Sequence, residues 1–218
     1  MEILYSDAWP KDNANLQAIA PIHEILKHAR LSAEDIYYRD LEYKIDSPKM
    51  HPLHDEWFPL KYKEDFYIHL FHHHKNINIG AFVRIGEKEY LIGSISGVFS
   101  RNTHMPMNLL KALFSECVAS CLPYTCYICS IGVIDEARKM GIGGQLLMKL
   151  EEKVRRMKEC QTISLHVIAY NIMAIEFYKK RGFGIICTRR NYYTIFYKSY
   201  SAYYMEKPMH PKGIKKLV

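Results

Sequence analysis

The sequence predicts a mixed α/β domain, a sheet flanked by helices, and three observations carry that expectation. The second half alternates strand-like and helix-like stretches. Residues 77–85 and 90–99 are β-rich around Gly86-Glu-Lys-Glu89, the pattern of a hairpin. A glycine-rich turn, Gly141-Ile-Gly143-Gly144, joins a strand to an amphipathic helix.

Composition supports a single cored domain. Of 218 residues, 49% are hydrophobic and 24% charged, with 17 Tyr and 9 Phe, enough apolar surface to offset the entropy of ordering the chain. The longest apolar run, Cys126 to Ile134, is far shorter than the roughly 20 residues a membrane-spanning helix needs. The first residues hold no basic stretch followed by an apolar one, so no secretory signal is expected and the six cysteines are expected as free thiols. Thirty basic against 23 acidic side chains leave +7, compatible with an anionic ligand but too common to indicate nucleic acid.

The elements follow in order. Residues 1–35 are expected as a helical extension, with Leu16, Ile19, Ile22, Ile25 and Leu26 at helical spacing and Asp12 or Asn13 as cap. Residues 36–41 predict the first strand. Pro48 and Pro52 are expected to allow only short helical pieces before Trp57. Glu64 to Phe71 presents Phe66, Tyr67, Leu70 and Phe71 at helical spacing, and the hairpin comes next. Residues 100–124 are a long connection, expected as an insertion with a helix near Leu109–Val118. Strand 126–134, a helix to about Lys158 with Ile142, Leu146, Leu150, Val154 and Met157 on one face, strand 162–167 and a helix from about Asn171 to Lys180 complete the alternation. Strands at about 184–189 and 200–207 precede a basic tail, 208–218.

Two clusters are set aside. Cys126 and Cys129 have CxxC spacing within a strand, where their sulfurs point to opposite faces, and no second pair lies at zinc-site spacing. His69, His72, His73 and His74 read as solvated imidazoles at a helix end. No metal is expected.

The glycine turn is the informative stretch. Arg138-Lys139-Met140-Gly141-Ile142-Gly143-Gly144 lets backbone approach a ligand closely, and the unpaired N–H groups of a helix start can hold a pyrophosphate, with Arg138 and Lys139 adding charge. It is not a Walker loop, since no Gly-Lys-Ser/Thr follows.

Arg138-x-x-Gly141-x-Gly143-Gly144 after a strand resembles the pyrophosphate-binding motif of the GNAT acetyltransferases. Leu91-Ile-Gly-Ser-Ile95 is similar to their preceding hairpin strand, and Asn171 followed by Ala174-Ile175-x-Phe177-Tyr178 and Arg181-Gly182-Phe183 to their cofactor-side helix. Trp57-Phe-Pro-Leu-x-Tyr62, Tyr127-Ile-x-Ser-Ile-Gly-Val133, Leu165-His166-Val167 and Asn191-Tyr192-Tyr193 resemble motifs of protein N-terminal acetyltransferases of the NatE and NatF type. The resemblance runs from about residue 36 to 207. It implies the GNAT fold, a mostly antiparallel sheet whose splayed strands form an acetyl-CoA cleft. It further implies that Ile131, Gly132 and Val133 offer backbone groups to pantetheine and thioester, that residues 138–144 hold the pyrophosphate, and that Asn171 and Tyr178 face the cofactor. Phe58, Pro59, Leu60 and Tyr62 would line the first-residue pocket, with Tyr192 and Tyr193 closing over the peptide. Tyr127 and His166 would flank the attacking amine. Beyond the family, His166 leaves the apolar face of its strand, since Ile163, Leu165 and Val167 alternate with it.

An α-amine is the easier nucleophile. Its pKa is about 8 against about 10.4 for lysine, a gap of ~3.3 kcal/mol that a weak base need not supply. The expected function is therefore transfer of acetyl from acetyl-CoA to protein N termini, Met-starting and with an apolar or basic second residue, by direct attack in a ternary complex. No cysteine sits in a catalytic motif, so no acyl-cysteine is expected. A lysine acetyltransferase and a non-catalytic auxiliary subunit are the rival readings. No direct nucleic-acid contact is expected, a ribosome or auxiliary subunit is left open as partner, and a cytoplasmic location is expected because MHPKGIKKLV after the last strand is too short for a pair of membrane-binding helices.

Overall fold

The structure, a computed structural model, describes residues 22–29, 31–101 and 124–209. The expected helix near Leu109–Val118, the start of the N-terminal extension with Leu16 and Ile19, and most of the basic tail lie outside the described residues.

Among the described residues five α-helices and seven strands follow in the order α1 (22–28), β1 (Ile36–Asp40), α2 (Tyr43–Trp57), α3 (Glu64–His72), β2 (Ile77–Ile85), β3 (Lys88–Arg101), β4 (Tyr124–Val133), α4 (Ile142–Arg155), β5 (Cys160–Ile168), α5 (Ile172–Lys179), β6 (Gly184–Ile195) and β7 (Lys198–Pro208). The strands form one sheet in the order β1-β2-β3-β4-β5-β7-β6. Every pairing is antiparallel except β4 with β5.

That parallel pair positions the site. β4 and β5 pair only from Tyr124 to Tyr127 against Cys160 to Ser164. Beyond that point β4 stays with β3 as far as Val133, and β5 stays with β7 as far as Ile168. The two halves of the sheet therefore part, leaving unpaired backbone on both inner edges. A bulge helps the parting: Ser96 faces Ser130 but Gly97 faces Ile128, so Cys129 is the extra residue that bends β4 at the fork.

Helices cover both faces. Adjacent pairs Gly93/Val133 and Ser94/Gly132 point to opposite sides of the sheet. A Cβ at Gly93 would lie 3.4 Å from Ile142 of α4, whereas one at Gly132 would lie 2.1 Å from Trp57 of α2, so α4 and α2 sit on opposite faces. α4 buries Ile142, Leu146, Leu147, Leu150 and Val154 as its periodicity predicts, with Met157 half-buried after it. Met50, Leu53, Tyr67 and Leu70 fill the layer under α2 and α3.

Two expectations are corrected. Residues 43–57 form one helix despite Pro48 and Pro52. Each proline deletes an intrahelical bond, at a cost of about 3 kcal/mol, but the first turn is fixed from outside. Arg39 grips the buried Asp46 with two bonds (2.7 and 2.9 Å), Asp46 accepts from the Glu42 N–H (2.9 Å), and Met50 and Leu53 are fully buried further on. The last two strands are also longer than expected. Asn191 takes a left-handed conformation (φ 53°) inside an irregular stretch between Arg189 and Tyr193, which lets β6 resume pairing, and Phe196 and Tyr197 (φ 50° and 61°) make the tight reversal into β7.

Cys126 is buried beside Leu150 on the α4 face, while Cys129 stands at the fork. His69, His72, His73 and His74 are all exposed at the end of α3 and just beyond it. Among the described residues no group of three or more His, Cys, Asp or Glu is placed to hold a metal ion, and no helix is long and apolar enough to cross a membrane.

Candidate active site

The fork between β4 and β5 opens into a cleft of about 580 Å³. One wall is the loop after α2, with Trp57, Phe58, Pro59, Leu60 and Tyr62. The floor is β4 from Tyr127 to Val133 and β5 from Leu165 to Ile168. Arg138, Gly143, Asn171, Ala174, Phe177 and Tyr178 close one end, and Tyr193 and Ile195 of β6 close the other side.

At the fork itself, Tyr127 is the last residue of β4 paired with β5, and His166 lies two positions beyond its partner Ser164. Their side chains meet, with the Tyr127 hydroxyl 3.0 Å from His166 Nδ1. Tyr192 stacks on the imidazole (4.0 Å between centroids, 12° between planes), Tyr204 packs on it at 5.1 Å, and the Tyr193 hydroxyl donates to the His166 carbonyl (3.3 Å). The ring is thus held by three tyrosines, and its Nε2 is buried. The Tyr127 hydroxyl already occupies Nδ1, so a proton passing to or from that nitrogen goes by way of the hydroxyl. Burial, reinforced by Tyr192, Tyr193 and Cys129, pushes the Tyr127 phenol well above its ordinary value, and burial likewise raises Tyr62 and Tyr192. These phenols stay protonated and act as hydrogen-bonding groups. The Cys129 thiol is pushed up to about 12 by burial, far from the thiolate a nucleophile needs.

The other end is built by backbone. Gly141 caps α4 in a left-handed conformation (φ 82°), Lys139 shares that region (φ 65°), and together they turn the chain so that the N–H groups of the first turn of α4 start free of intrahelical partners. A Cβ at Gly144 would lie 2.6 Å from the Arg181 guanidinium, which bonds the Phe177 carbonyl and sits 3.8 Å over the Phe177 ring, so a cation stands against the helix start. Arg138 donates to the Val133 carbonyl (3.1 Å) and pairs with Asp135 (2.7 Å), tying the turn to the end of β4. Asn171 caps α5, its Oδ1 accepting from the Ala174 N–H (3.1 Å).

Most of the residues singled out from sequence come together in this cleft: Phe58, Pro59, Leu60, Tyr62, Tyr127, Ile131, Gly132, Val133, Arg138, Gly143, His166, Asn171, Tyr178 and Tyr193 all line it. Lys139, Met140, Gly141, Ile142 and Gly144 do not; Ile142 points into the core, and the others shape the turn from behind. Tyr192 reaches the site by stacking rather than by lining the cleft. Trp57, Cys129 and Phe177 are cleft residues to which the sequence reading gave no role. Trp57 and Phe177 stand inside the quoted motifs, so a signal existed; Cys129 enters only through the bulge, which has no local signature.

The model of the acetyltransferase (GNAT) family matches residues 40–183. A zebrafish (Danio rerio) protein named N-alpha-acetyltransferase 60 is 30% identical over 159 residues, 71% of this chain and 60% of its own length. Its Xenopus tropicalis counterpart of the same name is 29% identical over 59% of this chain and 51% of its own length, so the chain spans between half and three fifths of these curated relatives. Crystal structures of Arabidopsis thaliana NAA60 with a bisubstrate analogue and with acetyl-CoA superpose with TM-scores of 0.68 at 22% identity, covering 80% and 79% of this chain and 99% and 98% of theirs, a likeness of fold. The family match covers well over half of the chain, the forked sheet is that of the solved structures, and the chain belongs to the GNAT acetyltransferase family.

Proposed function

We propose that this protein is an acetyl-CoA-dependent protein N-terminal acetyltransferase, with residues 36–207 as its catalytic domain, working in the cytoplasm on Met-starting termini. The observation that carries this reading is the Tyr127–His166 pair at the fork, 3.0 Å apart, with a cationic glycine turn on one side and an aromatic pocket on the other. The turn suits a pyrophosphate: the first N–H groups of α4, the positive end of its dipole, and Arg138 with Arg181 nearby all favour an anion. Unpaired backbone on Ile131 to Val133 suits the amide groups of pantetheine. The names of the relatives, and the acetyl-CoA and bisubstrate complexes of NAA60, support the same assignment.

In the reaction the neutral α-amine attacks the thioester carbonyl, the C–N bond forms, the C–S bond breaks, and one amine proton must leave. Tyr127 is the group through which it leaves. Its protonated hydroxyl passes a proton to His166 Nδ1 while accepting one from the amine or an intervening water, and a proton finally goes to the departing thiolate, which leaves as the thiol. Tyr62 and Tyr193 hold the peptide backbone, and Phe58, Pro59 and Leu60 receive the first side chain. The experiment is intact-mass measurement of a lysine-free, Met-starting peptide incubated with protein and acetyl-CoA. A gain of one acetyl group at the terminus is expected; an unmodified peptide overturns the assignment.

A further inference from the structure

Three cations stand near the walls of the cleft without a salt bridge among the described residues. Arg189 and Arg190 sit on β6, just before the irregular stretch that delivers Tyr192 and Tyr193, and both are exposed. Arg189 pairs with Ala202, Cys187 pairs with Tyr204, and Tyr204 pairs with His166. Side chains two apart share a face, so Arg189 projects on the same face of the sheet as the His166 imidazole. Its charge is felt by the Tyr192 phenol, the ring stacked on that imidazole. On the opposite wall, Lys61 stands between Leu60 and Tyr62, which both line the cleft. Among the described residues none of these three cations makes an ion pair, unlike Arg39, Lys49, Lys75, Lys153 and Lys207 elsewhere on the molecule. A carboxylate on the same face, Glu206, is engaged by the Tyr204 hydroxyl.

We infer that Arg189, with Lys61 on the opposite wall, makes the amine side of this cleft select peptides that carry a carboxylate in the second or third position. The inference rests on the proposed N-terminal acetyltransferase activity and reverses the basic second residue expected from sequence. The physical reasons are two. An extended peptide advances about 3.3 Å per residue, so its second and third side chains lie within reach of arginines on a strand that borders the terminus site. Unpaired cations at a cleft mouth attract acidic partners and repel basic ones, and the discrimination adds to both binding and encounter rate. A lysine or arginine in those positions would meet the like charge of Arg189.

The test uses the full chain and three peptides identical except for the second residue: Met-Glu, Met-Gln and Met-Lys, each lysine-free beyond that point. The wild-type protein is expected to favour Met-Glu over Met-Lys by about tenfold in kcat/KM at low ionic strength, chiefly through KM, with the preference shrinking as salt screens it. R189E is expected to bring the ratio to about one or below, while K88E, a charge reversal of equal size at the remote β2–β3 turn, keeps the wild-type ratio. R189Q and the salt series on wild-type protein keep the test decisive if R189E fails to fold. A wild-type Glu/Lys ratio of one or less overturns the inference. So does a ratio unmoved by R189E or R189Q, including the case where those variants weaken acetyl-CoA binding instead and the arginine belongs to the cofactor. Turnover of Met-Gln separates the two levels: acetylation without charge preference sinks only this inference, whereas no acetylation of any free-amine peptide sinks the activity beneath it as well.

Discussion

In the proposed reaction Tyr127 and His166 carry the proton transfer, with unequal tasks. Both line the cleft, the hydroxyl meets the imidazole at Nδ1, Tyr192 and Tyr204 pack on the ring, and Tyr193 holds the His166 carbonyl. Tyr127→Phe keeps the ring and removes the relay, so kcat is expected to fall by about 10² with little change in acetyl-CoA affinity. His166→Ala removes the relay's second member and is expected to fall by a similar factor, and the double variant to fall little further than either single one, because the two act as a unit. Steady-state kinetics with calorimetry for the cofactor checks all three. The pH profile carries a sign as well. Burial raises the Tyr127 phenol, so it stays protonated where a free tyrosine would begin to ionise, near pH 10. The kcat/KM is expected to climb as the substrate amine loses its proton near pH 8 and then hold level to about pH 10. At the other end of the cleft, Gly143 offers a clean probe. A Cβ there would find its nearest neighbour, Phe177, at 3.6 Å, an ordinary contact, so Gly143→Val should fold and yet lose acetyl-CoA binding by tenfold or more by filling the approach to the turn. Wild-type affinity in that variant would remove the pyrophosphate assignment.

Among the elements, α2 works hardest against its own sequence. Its prolines are tolerated because Asp46 and Arg39 hold the first turn and Met50 and Leu53 are buried. Pro48 is exposed and six residues into the helix, so Pro48→Ala restores a backbone bond without touching the core. A gain of about 1 kcal/mol is expected in denaturant unfolding, less than the full proline penalty because the unfolded chain regains freedom. The last turn of the same helix carries His54, fully buried among Trp57, Phe58, Tyr62, Phe66 and Tyr67 beside the loop that walls the cleft. Burial, with His51 beside it, lowers His54 to about 3. The unfolded chain binds this proton near pH 6.5 and the folded chain only near pH 3, so between those values the unfolded state holds more protons and stability falls as pH falls, by several kcal/mol at the lower limit. His54→Phe keeps an aromatic ring in the box and removes the linkage. Its melting temperature is expected to drop much less between pH 7 and pH 4 than that of the wild-type protein.

For the whole molecule, the sequence showed the order of elements and most of the cleft, and it failed where tertiary structure overruled a local rule. Periodicity located α4 and its buried face because one stripe of Ile142, Leu146, Leu150 and Val154 meets the sheet. The glycine turn was legible because φ values of 65° and 82° at Lys139 and Gly141 favour few residue types. The unbroken α2 was not legible, since Arg39 and Asp46 act across a strand-to-helix junction. Nor was the bulge at Cys129, which depends on the register of β3 against β4. The mutual arrangement of Tyr127 and His166 likewise follows from where β4 and β5 stop pairing, a property of two distant strands. The proposed function turns on one claim, that the cleft presents a peptide terminus, rather than a lysine side chain, to the thioester. The direct measurement compares one Met-starting peptide containing an internal lysine in two forms, its terminus free or blocked. The free form is expected to be acetylated at its α-amine with kcat/KM at least about tenfold above the blocked form, since the terminal amine is the less costly to deprotonate. Equal rates on the two forms, with acetyl on the lysine, would contradict the account.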